Sequence, residues 1–190
     1  YGDHKNLPYK EDAPLLGKHP YDVSKSCADL IARAYSHAYG LPVAVTRCGN
    51  IYGPGDFNFS RIIPDSARCA IQGKTLIIRS DGKFTRDYIY VDDIVNGYIV
   101  LAEKFKKLGL SGEAFNFSGE NPVTVVELVN KIFKISGNKP NYKILNKSKY
   151  EIRHQYLAAR KAKKILKWQA EHSLEDGLFM TLEWLRKCPV

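Results

Sequence analysis

Tyr21 and Lys25 stand four residues apart in the stretch Tyr21-Asp22-Val23-Ser24-Lys25. On a helix this spacing puts a phenol and an ammonium one turn apart on one face, where both reach the same point. An isolated tyrosine titrates near ~10. A positive charge beside it favours the phenolate and brings Tyr21 toward use as a general base near neutral pH. Taken alone the pattern also fits chance, since the chain holds 12 tyrosines and is rich in lysine. Metal chemistry has no comparable signal. Cys27, Cys48, Cys69 and Cys188 lie far apart without a CxxC spacing, which indicates neither a zinc site nor a disulfide framework and fits a reducing, cytoplasmic compartment.

The elements that must position this pair follow from periodicity and punctuation. Val23, Cys27, Leu30, Ile31, Ala34, Tyr35 and Ala38 recur at helical spacing, so a helix is predicted over 20–39, with Pro20 in its first turn and Gly40 as its stop. Pro42 to Thr46 reads as a short buried strand, and 49–56 as a loop too rich in Gly and Pro for regular structure. A helix is predicted over 62–72. Strands are predicted at 75–78 and 84–91, separated by an Asp81-Gly82 turn. Asp92 and Asp93 suit the positive end of the next helix dipole, and Ala114 to Phe117 reads as a strand. Thr124 and Glu127 form a capping-box signature. A strand near 142–145, a helix around 158–166 and a last helix opened by Ser173 and Asp176 complete the series. Strands alternate with helices, so the fold class is α/β.

The 190 residues are 44% hydrophobic and 26% charged, which excludes a disordered or low-complexity chain. No apolar run approaches the ~18 residues of a membrane span. Net charge is +9, and 101–170 alone holds fifteen Lys/Arg against five Glu. Such a basic face suits a solvated surface, a phosphate-bearing substrate, an acidic partner or nucleic acid. The lysines flank helices without aromatic interleaving, which speaks against nucleic acid. The chain opens at Tyr1, its one methionine is Met180, and no GxGxxG occurs. The expectation is that the front of a longer protein is missing.

Four stretches add context: Glu11-Asp12-Ala13-Pro14 followed by Pro20 to Lys25; Thr46-Arg47-Cys48-Gly49-Asn50-Ile51-Tyr52-Gly53-Pro54-Gly55; Arg86-Asp87-Tyr88-Ile89-Tyr90-Val91-Asp92-Asp93; and Tyr156-Leu157 with Lys161-Ala162 and Leu166-Lys167-Trp168. In order and spacing they resemble the extended short-chain dehydrogenase/reductase family, the nucleotide-sugar epimerases and dehydratases. Arg61 to Asp65 and Leu76 to Arg79 look most like the CDP-glucose 4,6-dehydratases, whereas Arg86 to Asp93 looks more like the general epimerase and dTDP-glucose or GDP-mannose dehydratase pattern.

The resemblance implies the C-terminal part of a Rossmann-type fold joined to a smaller substrate-binding domain. Residues 1–56 would be the remnant of the dinucleotide-binding domain and 57–190 mainly the substrate domain, with 84–107 packing back on the Rossmann sheet. It implies NAD, with NADP as the alternative, and a nucleoside-diphosphate sugar as substrate. Tyr21 would take a sugar hydroxyl proton, while Lys25 would depress the Tyr21 pKa and bond the nicotinamide ribose, and Cys48 would face the cofactor. Asn50, Arg61 and Arg86 would hold the substrate, the arginines through their bidentate forks. Each has a plainer reading: Asn50 as a turn cap, Arg86 as an ion pair with Asp87, Arg61 as solvated, Cys48 as a small buried side chain.

The implied reaction is 4,6-dehydration, with C4 epimerisation the alternative. Turnover is not expected from these residues alone, because a catalytic Ser or Thr and the Gly-rich cofactor loop would lie upstream. Ala158 and Lys167 depart from the family's usual Asp and Gly, so no contacts are assigned there. A homodimer through the Tyr21 helix and burial of its stripe against the chain's own sheet both fit the pattern. Loss of the strands beside 42–46 would leave an apolar sheet edge exposed.

Overall fold

The computed structural model describes residues 1–3, 5–148 and 151–188. Helix α1, Pro20–Tyr39, spans the predicted range, opening with Pro20 and ending on Gly40 in the left-handed conformation. Strand β1, Val45–Cys48, starts later than the expected 42–46. The segment predicted as loop contains strand β2, Asn50–Tyr52. Its Gly and Pro begin only after Tyr52, so they end the strand and do not prevent it.

Helix α2 is Ile62–Gln72 and strand β3 is Leu76–Ile78. The expected strand over 84–91 is broken at Asp87 into β4, Thr85–Arg86, and β5, Tyr88–Tyr90. It does not pair with β3 across the Asp81-Gly82 turn. Instead β3 pairs in parallel with β8, Tyr142–Ile144, and β4 lies between β7, Val123–Thr124, and β9, His154–Gln155. Helix α3 is Val91–Leu108, β6 is Ala114–Phe117 and α4 is Val125–Ser136. The capping box forms as expected, with Thr124 accepting from the Glu127 amide and Glu127 accepting from that of Thr124. The expected helix around 158–166 is shorter, dominated by a π-helix at Ala162–Leu166. Helix α5 is Leu174–Arg186, capped by the Ser173 hydroxyl.

Two parallel pairs carry the candidate residues. β1 pairs with β6, setting Cys48 opposite Phe117, and β2 pairs with β5, setting Asn50 opposite Tyr88. One apolar core gathers α2, α4 and α5 around Leu76, Ile132, Phe133 and Leu178. A second lies between β6, α3 and the π-helix, around Phe115, Phe117, Ile94 and Trp168. Strand β5 borders both, because alternate residues face opposite ways: Tyr88 and Tyr90 enter the first core and Ile89 the second. The N-terminal loop is tied down by Tyr9, which is fully buried and donates its hydroxyl to the Gly2 carbonyl at 2.8 Å.

The stripe of α1 is where expectation and structure part most. Leu30, Ile31 and Tyr35 are exposed, and the buried residues of the helix are Asp29 and Ser36. Its polar side meets the sheet and its apolar side faces outward. Burial against the chain's own sheet is therefore not the explanation of the stripe.

Candidate active site

Tyr21 lies in the first turn of α1 with 72% of its surface exposed, and the Lys25 ammonium is 5.5 Å from its ring centroid. The pair therefore meets as the spacing requires, on an accessible face. The ammonium and phenol offer donors suited to the ribose hydroxyls of a dinucleotide. Cys48 ends β1, partly buried, and burial pushes its thiol above the ordinary value against the opposing effect of the Tyr98 and Thr46 hydroxyls. A raised pKa leaves Cys48 a poor nucleophile, so at this position it packs.

Asn50 opens β2. Its backbone N–H and its side-chain Nδ2 both donate to the Asp87 carbonyl at 3.0 Å. A carbonyl can only accept, so the orientation of the amide follows. Oδ1 and one N–H remain for a ligand. Asp87 is 2% exposed, and its carboxylate accepts from the Ser118 hydroxyl and the Leu157 amide. Burial raises its pKa, and those hydrogen bonds work the other way. Gly49 must be glycine here, since a Cβ would stand 2.6 Å from Asp87 Oδ1.

Arg86 precedes Asp87 without pairing to it. Its Nη1 donates to the carbonyls of Thr85 and Arg153 at 2.9 and 3.2 Å, and Glu151 lies 3.9 Å from Nη2. Burial lowers its pKa, opposed by Tyr88 and Glu151. Arg61 is the N-cap residue of α2, 60% exposed, and pairs with Asp56 at 3.2 Å. The structure thus joins Tyr21 to Lys25, and Asn50 to the Arg86-Asp87 turn. It places Arg61 apart, across the loop that follows β2.

Two residues of this region escaped the sequence reading, Asp29 and Arg47, and Asp87, read there only as a partner of Arg86, turns instead to Ser118 and Leu157. Arg47 in β1 forms a bidentate pair with Asp29 of α1, at 2.7 and 3.0 Å, and also donates to the Tyr1 hydroxyl and the Glu11 carbonyl. The available signal was a charged residue in an apolar strand and an acid two turns beyond Tyr21 on its helix. Neither names its partner. Among the described residues no His, Cys, Asp or Glu group is placed to hold a metal, and no helix is long and apolar enough to cross a membrane.

A helix that carries a phenol–ammonium pair in its first turns and packs on parallel strand pairs defines a Rossmann-type α/β fold. The chain belongs to the NAD dependent epimerase/dehydratase family, whose profile matches residues 1–117. It is 33% identical over 188 residues to the UDP-glucuronate 4-epimerase of Thermodesulfobacterium geofontis, covering 97% of this chain and 54% of that protein. The dTDP-glucose 4,6-dehydratase of Neisseria meningitidis serogroup B is 32% identical over 190 residues, covering 93% and 52%. Among solved structures, dTDP-glucose 4,6-dehydratase from Bacillus anthracis in complex with NAD superposes with a TM-score of 0.89 at 34% identity, covering 97% of this chain and 57% of that one. The chain spans about half the length of these relatives.

Proposed function

We propose that this chain is the sugar-binding and proton-transfer part of an NAD-dependent nucleotide-sugar 4,6-dehydratase. The observation that carries the reading is the exposed Tyr21 phenol with the Lys25 ammonium 5.5 Å from its ring. When bound, NAD supplies the hydride acceptor. Tyr21 Oη takes the proton of the sugar C4 hydroxyl, and Lys25 stabilises the phenolate and holds a ribose hydroxyl. Asn50 offers Oδ1 and one N–H to the substrate near its diphosphate, with Arg86 as a cationic partner at that end and Arg61 as a further cation beyond the loop after β2. Cys48 lines the floor beneath the cofactor. The net reaction removes water across C5 and C6 and leaves a 4-keto-6-deoxy sugar, a building block for surface polysaccharide.

The second reading is C4 epimerisation, favoured by the similarity to a UDP-glucuronate 4-epimerase. On the domain level, residues 1–56 and 84–107 belong to the dinucleotide-binding layer and 57–190 mainly to the substrate domain. The presence of two apolar cores supports a division in two, with the second core drawing also on residues near Phe115 and Trp168 and with Tyr52, Tyr88 and Tyr90 reaching into the first. The outward stripe of α1 suits a second copy of the protein, giving a homodimer, and the setting is cytoplasmic.

The test is the full-length protein with NAD and either dTDP-glucose or UDP-glucose, followed by mass spectrometry. Dehydration yields a product lighter by one water, while epimerisation leaves the mass unchanged. Tyr21→Phe is expected to lower kcat by about 10²–10⁴-fold, the usual contribution of a positioned acid–base group. Full activity in that variant overturns the reading.

A further inference from the structure

We infer that the Asp29–Arg47 ion pair is the device that sets Tyr21 and Lys25 in place relative to Asn50. The inference rests on the reading of Tyr21 and Lys25 as the acid–base pair. Tyr21, Lys25 and Asp29 follow one another at four-residue intervals along α1, so they descend one side of the helix on successive turns. At 1.5 Å per residue, Asp29 lies about 6 Å along the axis from Lys25 and about 12 Å from Tyr21. Arg47 stands three residues before Asn50 and leads directly into β2. One ion pair therefore joins the element that carries the proton-transfer pair to the segment that carries the substrate amide.

The way α1 is attached makes this contact decisive. A surface helix is ordinarily held by its apolar stripe, and apolar contact is non-directional. Here the stripe of Leu30, Ile31 and Tyr35 is exposed, and the buried residues are Asp29 and Ser36. Rotation and sliding of α1 on its sheet are then limited by polar contacts. Arg47 grips both Asp29 oxygens through Nε and Nη2, a fork that fixes direction as well as distance. The side chains are 10% and 8% exposed, so solvent screens the pair little. Nη1 of Arg47 donates to Tyr1 Oη and to the Glu11 carbonyl, which hold the guanidinium from the far side. At the other end of the helix, Ser36 bonds Ser111 at 2.8 Å and Arg33 donates to the Gly112 carbonyl. Those contacts pin the end away from Tyr21. Asp29 is the anchor nearer the chemistry, and Asp29 and Arg47 are positioning residues.

The experiment uses the full-length protein with NAD and dTDP-glucose or UDP-glucose, whichever it turns over. The variants are Asp29→Asn, Arg47→Lys and the paired replacement Asp29→Leu with Arg47→Met. The paired change removes the fork without leaving a buried charge uncompensated, which keeps the fold testable. The expected result is a fall in kcat of about 10²-fold, the cost of misplacing a reacting group by an ångström. KM for the sugar nucleotide should stay near that of the parent, and the kinetic isotope effect with deuterium at sugar C4 should rise as proton and hydride transfer become limiting. A merely structural pair would lower activity in step with the folded fraction seen by circular dichroism and leave the isotope effect where it was. That outcome overturns the inference, as does unchanged kcat. Tyr21→Phe is run alongside: if it stays active, the underlying reading falls too, whereas an inactive Tyr21→Phe with unaffected pair variants removes only the inference.

Discussion

The two apolar cores are made of similar residues and close in different ways. Around Ile132 and Phe133, helices α2, α4 and α5 enclose the sheet edge of β3, and the leucines of α5 at 174, 178, 182 and 185 all point inward. Beneath α3 the enclosure is one-sided. Ile94 and Leu101 are buried, while Val95, Tyr98 and Ile99 of the same helix are exposed. Strand β1 pairs with β6 on one edge, and among the described residues no strand takes the other. Helix α1 goes further and turns its whole apolar side outward. A region that covers its own apolar surface carries its stability internally. A region that does not leaves apolar surface exposed, and in this chain that is also the region with Tyr21, Lys25 and Cys48.

Substitutions sharpen this contrast. Phe133→Ala empties a site in the closed core and is expected to cost about 3–5 kcal/mol, while Leu30→Ala on α1 stays within about 0.5 kcal/mol. Urea unfolding of both variants checks the difference, and equal losses would erase the distinction between the regions. Gly177→Ala comes next. A Cβ there would overlap the Tyr52 hydroxyl and crowd Tyr90, so about 1–3 kcal/mol of overpacking is expected, readable as a lower Tm.

Thr124→Ala should cost about 1 kcal/mol by removing the cap of α4. The paired residue adds a pH signature. Hydrogen bonds from the Thr124 backbone and hydroxyl hold the Glu127 carboxyl below its ordinary 4.5. Its folded pKa is thus depressed, so its contribution is present above the unfolded value and fades as pH falls through the folded one. Glu127→Gln should therefore destabilise at pH 7 and converge on the parent as pH falls through the depressed folded pKa, where the carboxyl is protonated in both states. The smallest stability effect belongs to Leu30→Lys combined with Tyr35→Lys, expected within about 0.5 kcal/mol. Sedimentation should show less self-association in that variant, because the exposed stripe has been broken. Unchanged association would overturn the proposed contact through α1.

Much of this architecture was legible from local pattern. The helices α1, α2, α3, α4 and α5, both hydroxyl caps and the meeting of Tyr21 with Lys25 all depend on neighbours within a turn or two. What escaped depends on distant partners. Asn50–Tyr52 becomes a strand because Tyr88–Tyr90 lies beside it, and nothing in its own composition says so. The break at Asp87 arises because its carboxylate turns toward Ser118 and Leu157. The inversion of α1 has the same origin. Its stripe has the right spacing for burial, but Arg47 seizes the opposite side through Asp29. The π-helix is likewise hidden, since its extra residue per turn leaves no mark in a segment this short.

Strand β5 is only three residues long, yet it serves as a party wall. Tyr88 and Tyr90 finish one compartment and Ile89 the other, so no line drawn through the polypeptide separates them cleanly. A fragment trimmed to either compartment would have to carry this strand, and its neighbour β2, or surrender a lining. Because Asn50 sits opposite Tyr88 on that wall, a disturbance that begins among the tyrosines of the closed compartment reaches the Asn50 amide through a single rung of the ladder.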